Sequence, residues 1–192
     1  MEPATKIVLA ILVVLAALYV CVMAFLMFGD PGGVMPGPPP EGVKTFENLS
    51  REHVEGEVSY GCVPPVGGKH REVWQNCGFY EEPVRNETAV HSMERGAVWV
   101  TYRPDLPQGQ VEELEPYGGP VGSGSSWVLV SPYPGLPAPV VASAWGKQLP
   151  LDSAEDPRLQ QFVSAFFLGS QTPEPQPACD GGTSATVSES VD

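Results

Sequence analysis

Residues 53–102 read HVEGEVSYGCVPPVGGKHREVWQNCGFYEEPVRNETAVHSMERGAVWVTY and contain all three histidines of the chain. Polar, turn-forming residues alternate with aromatic ones until the stretch ends in Ala97–Tyr102, whose β-branched and aromatic side chains predict a strand. Val54–Tyr60 alternates weakly and predicts a second, short strand, whereas the prolines and glycines of Val63–His70 predict a loop. We expect the rest of the domain to be organised around this stretch.

The sequence beyond residue 102 predicts further strands and two helices. Strand composition recurs at Trp127–Ser131, Val140–Trp145 and Gln148–Leu151. Asp105–Leu114 predicts a short helix. Asp156 is suited to cap a helix that begins at Pro157 and ends near Leu168, with an apolar face turned to the core. The expected fold is α+β, with a small, largely antiparallel sheet covered by one or two helices.

The N-terminus predicts a membrane anchor. Ile7–Phe28 is an unbroken apolar run of 22 residues, about 33 Å long as a helix and enough to cross a bilayer. It is longer than the apolar part of a cleaved signal peptide, and bulky residues fill its end. Lys6 precedes it and the next basic residue is Lys44, which places the N-terminus in the cytoplasm. We therefore expect a single-pass protein of the cell membrane.

This anchor predicts the division of the chain. Residues 1–6 are expected in the cytoplasm, residues 7–28 as the transmembrane signal anchor and residues 29–45 as a linker rich in Pro and Gly. Residues 46–170 are expected to form the extracytoplasmic domain, and residues 171–192 a polar tail that is disordered except near Cys179.

Charge excludes one class of partner. The formal net charge is -13, with 10 Lys and Arg against 23 Asp and Glu. Nucleic acids and anionic lipid headgroups are bound through clusters of basic residues, which this chain lacks. The sequence therefore predicts no nucleic-acid binding.

Three cysteines follow the predicted anchor, at Cys62, Cys77 and Cys179. Outside the cytoplasm disulfides persist, so three thiols predict one bridge and one leftover cysteine. Spacing alone leaves all three pairings open. A bridge from Cys77 to Cys179 would attach the tail to the domain, whereas one from Cys62 to Cys77 would close the proline-glycine loop.

The histidines predict a metal site. His53, His70 and His91 are the candidate ligands, because zinc and copper favour imidazole. Met93 and the leftover thiol would suit copper(I). The spacings match no standard metal signature, and the alternative is that each histidine caps a turn or bonds a backbone carbonyl.

A superficial peptidase motif is rejected. His91-Ser-Met-Glu94-Arg95 is similar to the His-x-x-Glu-His of inverted zinc peptidases. Arg95 replaces the second histidine, and Gly96 followed by a strand argues against the necessary helix. Glu94 and Arg95 are expected instead to order a turn through ion pairs or backbone hydrogen bonds. The sequence also lacks a phosphate-binding glycine loop, a nucleophile elbow and a Cys-x-x-Cys motif, so it predicts a protein that is not an enzyme.

The chain resembles a bacterial family known as domain of unknown function 3105 over about residues 46–182. The segments that carry the resemblance are His53-Val54, Pro64–Gly68, His70, Trp74–Tyr80, Val90–Val98, Ser131–Pro139, Ala142–Gly146 and Pro177–Gly182. Actinobacterial members are the most similar. The resemblance implies a Cys77–Cys179 bridge, since both positions match family cysteines. Where the family usually has His-Ser-Leu-Glu-His-Gly, this chain has Arg95, which implies a weaker or narrower metal site.

Two functional hypotheses follow for a membrane-anchored, non-enzymatic extracytoplasmic domain. In the first it is a module that binds copper or zinc at the cell surface. In the second it is an accessory subunit that docks on a membrane protein complex through its anchor and proline-rich loops. Metal titration distinguishes the two.

Overall fold

The computed structural model describes residues 37–124 and 126–188, together with residues 12, 13, 15 and 19. The chain divides into two compact units, Met1–Met35 and Pro36–Asp192, and the strands and helices named below lie in the second. The predicted membrane span, residues 7–28, falls outside the described residues apart from those four, which are helical. Within the described residues, no helix is both long and apolar enough to cross a membrane.

Residues 37–188 contain six strands and three helices. The strands β1 to β6 are Lys44–Thr45, Gly78–Phe79, Val98–Tyr102, Val128–Pro132, Val140–Ala144 and Lys147–Leu151. The helices α1 to α3 are Asn86–Glu94, Gln108–Gly118 and Pro157–Phe166. The α+β class is therefore confirmed.

The six strands form one sheet in the order β1-β6-β5-β3-β4-β2. β4 pairs in parallel with both β2 and β3, while the other three pairings are antiparallel. The expectation of a largely antiparallel sheet is thus corrected to a mixed one. The physical reason is that α2 connects β3 to β4, and a helical crossover allows two successive strands to run in the same direction.

The four strands predicted after residue 96 are confirmed as β3, β4, β5 and β6, with each end shifted by at most one residue. Helix α3 begins at Pro157 as predicted, and the carboxylate of Asp156 accepts a hydrogen bond from the backbone N–H of Arg158. The short helix predicted at Asp105–Leu114 is present but begins and ends later, as α2.

Apolar side chains cover both faces of the sheet. On one face, alternate residues of β3, Val98, Val100 and Tyr102, pack with α2 and α3. On the other face, Trp99 and Leu129 pack with α1. Because both faces are covered, β3, β4 and β5 are buried along their whole length. The expectation of one or two covering helices is therefore corrected to three, which lie on both faces of the sheet.

Helix α1 is the main departure from the predicted fold. Its sequence, NETAVHSME, is rich in residues of low helix propensity, and nothing in its spacing predicted a helix. Burial stabilises it, since Ala89, Val90 and Met93 are fully enclosed. Gly96, with φ 114°, lets the chain turn directly from the helix into β3, so the glycine followed by a strand does not exclude a helix. In contrast, Val54–Tyr60, predicted as a strand, forms none.

The two ends of the domain are more ordered than predicted. β1 lies in the stretch expected to be a linker, and it pairs with β6. Residues 171–188, expected as a tail attached near Cys179, contact the domain at several other points. Thr183 forms a bridge with Gln75, and the N–H of Val187 donates to the carbonyl of Pro83.

Candidate metal centre

The three histidine side chains meet at one place, beside the C-terminal half of α1. The ring centroids are 4.8 Å apart for His53 and His70, 4.9 Å for His70 and His91, and 5.1 Å for His53 and His91. His70 and His91 are buried, and His53 is exposed. The cluster therefore lies at the edge of the domain, with one imidazole in contact with solvent.

Backbone hydrogen bonds bring His53 and His70 together. The two residues form an isolated parallel bridge. The N–H of Val54 donates to the carbonyl of His70 at 2.8 Å, and the N–H of His70 donates to the carbonyl of Glu52 at 3.1 Å. Helix α1 supplies His91 from the opposite side. Three segments of chain thus place one imidazole each.

The Nδ1 atoms of the two buried histidines are both bonded to backbone carbonyls. Nδ1 of His70 lies 2.8 Å from the carbonyl oxygen of Gly68, and Nδ1 of His91 lies 2.8 Å from that of Arg71. A carbonyl oxygen only accepts, so each Nδ1 must carry the proton and donate it. In the neutral imidazole this leaves a lone pair on Nε2, which is the arrangement found in histidines that bind metals.

Glu94 is a fourth donor in the cluster. It lies three residues after His91 on α1 and therefore on the same face of the helix. Its side chain is only 1% exposed. One ligand atom from each of His53, His70, His91 and Glu94 can be chosen so that all four lie within 4.8 Å of one another. The expectation that Glu94 orders a local turn is therefore corrected, because its side chain points into the histidine cluster.

The two carboxylate oxygens of Glu94 have different neighbours, Arg51 and His70. Nε of Arg51 donates to Oε1 at 2.7 Å, and the guanidinium of Arg51 also pairs with Glu174. Oε2 lies 2.9 Å from Nε2 of His70. That contact is not aligned as a hydrogen bond, and Nε2 is a buried nitrogen without a hydrogen-bond partner. When the imidazole of His70 is neutral and its proton is on Nδ1, the lone pair of Nε2 therefore faces a carboxylate oxygen at short range; when it is protonated, the two groups form an ion pair.

Electrostatics keep His91 in the form that binds metals. Burial lowers the pKa of His91, and the neighbouring rings of His70 and His53 lower it further, although the carbonyl of Arg71 and the carboxylate of Glu94 act in the opposite direction. The imidazole is therefore neutral at pH 7. A neutral imidazole has the free nitrogen lone pair that coordination requires.

Two tryptophans form walls around the imidazoles. Trp145 approaches His70 edge-on with ring centroids 6.0 Å apart, and Trp74 approaches His91 in the same way at 5.7 Å. Arg95 lies over the ring of Trp74, 3.6 Å from its centroid. Arg95 thus stacks on a wall of the cluster, and the weakening of the site that its presence implies stays a prediction.

The two sulfur donors considered for copper(I) lie elsewhere. Met93 is fully buried in an apolar cluster with residues such as Val90, Trp99 and Leu129. Cys62 is an unpaired, partly buried cysteine that is not among the four converging side chains. The donor set in the structure is therefore nitrogen and oxygen, and the suggested contribution of sulfur is corrected.

A disulfide fastens the C-terminal segment beside the cluster. Cys77 and Cys179 are bridged, with Cα atoms 5.4 Å apart, as the family resemblance implied. The segment that leads to Cys179 also bonds the end of α1, since the N–H of Glu174 donates to the carbonyl of Glu94 at 3.1 Å. The bridge therefore secures the segment that carries Glu174, the second partner of Arg51.

Comparison with known proteins gives one match. The family model described as Protein of unknown function (DUF3105) matches residues 53–181, a span that includes His53, His70, His91 and Glu94. No curated protein and no solved structure matches the chain.

Proposed function

Because this chain belongs to the DUF3105 family, whose description names no activity, we propose its function from the site alone: it binds one divalent transition-metal ion through His53, His70, His91 and Glu94. The observation that carries the proposal is the group of four donor atoms within 4.8 Å of one another. Three of the four side chains are buried, and buried ionisable groups usually need a partner that offsets the loss of water.

The spacing of the donors fits a metal ion. Bonds of about 2.0–2.1 Å place the ligand atoms of a tetrahedral zinc site about 3.4 Å apart. Small rotations of the side chains would bring the four atoms to that spacing. A cation between Nε2 of His70 and Oε2 of Glu94 would also turn the short contact between two lone pairs into two favourable bonds.

The surrounding hydrogen bonds resemble those that orient metal ligands in proteins. Carbonyl groups hold Nδ1 of His70 and of His91, and Arg51 holds one oxygen of Glu94. Such contacts direct the remaining lone pairs towards a common point and fix the tautomer of each imidazole. Three nitrogens and one carboxylate oxygen suit zinc or copper(II) better than copper(I), which prefers sulfur.

A metal titration tests the proposal. The full chain would be freed of metal with a chelator and titrated with Zn²⁺ and, separately, with Cu²⁺, using calorimetry. We expect one ion per chain, and loss of binding in His70→Asn and His91→Asn. In the copper form, nitrogen hyperfine structure in the electron paramagnetic resonance spectrum that disappears in His70→Asn and His91→Asn would come from this cluster.

The control is a buried carboxylate on the same helix. Glu87 also lies on α1 and is buried, but its Oε1 accepts from the backbone N–H of Val58, outside the cluster. Glu87→Gln should leave the stoichiometry and affinity unchanged. If the unaltered chain binds neither ion, the metal proposal fails and the accessory-subunit hypothesis is favoured.

We further propose that the domain is anchored in the cell membrane and faces away from the cytoplasm. The apolar run of residues 7–28 and the single lysine before it support this placement. The disulfide also supports it, because such bonds persist mainly in oxidising compartments. The protein should stay in the membrane fraction after a carbonate wash, with its C-terminus open to external protease. A soluble mature form that begins near Gly29 would contradict the anchor.

A further inference from the structure

Next to the histidine cluster lies a cavity of about 300 Å³ lined by two arginines, Arg71 and Arg85. Its volume is at the lower end of the range of small-molecule sites. The chain has 10 basic residues against 23 acidic ones, so two guanidinium groups around one cavity depart from the general charge of the molecule. Arg85 already has a contact within the structure, so the preference for a negatively charged ligand depends on Arg71.

Arg71 is the central residue of this cavity. Its Nε is buried and has no hydrogen-bond partner. In the described part of the chain, no carboxylate lies within ion-pair distance of its guanidinium. Buried polar groups in folded proteins are almost always hydrogen-bonded, so an N–H of this kind calls for a ligand that accepts. An oxyanion matches the fork of a guanidinium.

Other groups at the cavity also favour an anion. The hydroxyl oxygen of Thr183 accepts from the N–H of Ala185 and retains its own proton for donation. Helix α1 begins beside the cavity, and the side chain of its N-cap residue, Arg85, makes no capping hydrogen bond. The free N–H groups at a helix start carry partial positive charge. Glu55 and Glu72 also line the cavity, but both are exposed and therefore screened by water.

We propose that this cavity binds a small oxyanion, a carboxylate or a phosphate, through the guanidinium group of Arg71 and the hydroxyl of Thr183. This goes beyond metal binding and does not depend on it. The two sites are nevertheless neighbours. Thr88 at the cavity is three residues, about 4.5 Å of helix rise, from His91, and the carbonyl of Arg71 holds the His91 ring.

The test uses the full chain, freed of metal, with inorganic phosphate and acetate titrated separately by calorimetry. We expect saturable binding of at least one anion at one site per chain, and the tighter of the two identifies the preferred group. Arg71→Gln should weaken binding about tenfold or more, because it removes a charge-assisted pair. Arg71→Lys, which keeps the charge and loses the fork, should weaken binding less.

Arg103→Gln is the matched control. This substitution also changes the net charge by one, but Arg103 is exposed and paired with Asp105 outside the cavity. If Arg71→Gln fails to fold, as judged by thermal unfolding, Thr183→Ala, which removes the donating hydroxyl, serves in its place. Equal weakening by Arg71→Gln and Arg103→Gln, or no saturable binding of either anion by the unaltered chain, would overturn the proposal.

A glutamate variant separates this proposal from metal binding. Glu94→Gln removes a proposed metal ligand that does not line the cavity, and it leaves the guanidinium of Arg71 in place, so the folded variant should bind the anion within about twofold of the unaltered chain. If anion binding appears only after metal is added, the oxyanion is a ligand of the metal, and the cavity proposal is wrong. If the metal titration fails and anion binding persists, the cavity site stands alone.

Discussion

Nε2 of His70 and Oε2 of Glu94 lie 2.9 Å apart in the interior of the domain, with both side chains at most 1% exposed. They come from a loop and a helix 24 residues apart in the sequence, His70 and Glu94. Nε2 of His70 has no hydrogen-bond partner. A cation between the two atoms, either the proposed metal ion or a proton on Nε2, would satisfy both.

Glu94 should act as a metal ligand and not only as a carboxylate that stabilises the fold. Glu94→Gln removes the negative charge that faces Nε2 of His70, and we expect metal affinity to fall about 100-fold or more, since even contacts behind the ligands are worth about 10- to 100-fold. Glu87→Gln, on the same helix, should have no such effect. Competition with a chromophoric chelator measures both, and equal affinities would contradict the role of Glu94.

Arg51 should act through Glu94. Arg51→Gln leaves Oε1 of Glu94 without its charged partner, so the carboxylate is less firmly oriented, and we expect metal affinity to fall about 10- to 100-fold. Arg103→Gln removes an exposed arginine whose pair with Asp105 lies elsewhere, and water screens such surface pairs. The metal affinity of Arg103→Gln should stay unchanged. A structural role alone would lower the melting temperature of Arg51→Gln without this loss of affinity.

The pH dependence of stability should reflect His91. Its pKa is lowered in the folded state, chiefly by burial, so below about pH 6.5, the ordinary histidine value, the unfolded chain binds a proton that the folded chain does not. The free energy of unfolding should therefore be highest above that pH and decrease as the pH falls. Urea unfolding of the metal-free chain at several pH values measures this slope. His91→Asn should flatten it, and an unchanged slope would contradict the assignment.

The disulfide should contribute substantially to stability. The bridge joins residues 102 apart in sequence, Cys77 and Cys179, and on the chain-entropy model a loop of that size is worth roughly 4–5 kcal/mol. The double variant Cys77→Ala/Cys179→Ala should lose much of that in the free energy of unfolding measured with denaturant. Cys62→Ala, which removes an unpaired thiol, is the control and should cost far less. Non-reducing peptide mapping that found Cys62 paired would contradict the connectivity.

Local signals in the sequence were sufficient for most of the fold. The composition of Ala97–Tyr102 and of the later strands predicted β3 to β6, and the Asp156-Pro157 pair predicted the start of α3. These elements were predictable because propensity, capping and periodicity agree along each segment. Helix α1 could not be predicted, because its local propensity is poor and its burial between the sheet and the loops stabilises it.

The candidate site was likewise predictable from the sequence only in part. The rarity of histidine and its concentration in one stretch determined His53, His70 and His91 as ligand candidates from the sequence alone. Only the tertiary structure decided that the three rings meet, that Glu94 joins them and that Met93 and Cys62 do not. The residue types determine which side chains can bind a metal. Whether those side chains meet depends on backbone pairing and on the direction of a helix face, because both arise from contacts distant in sequence.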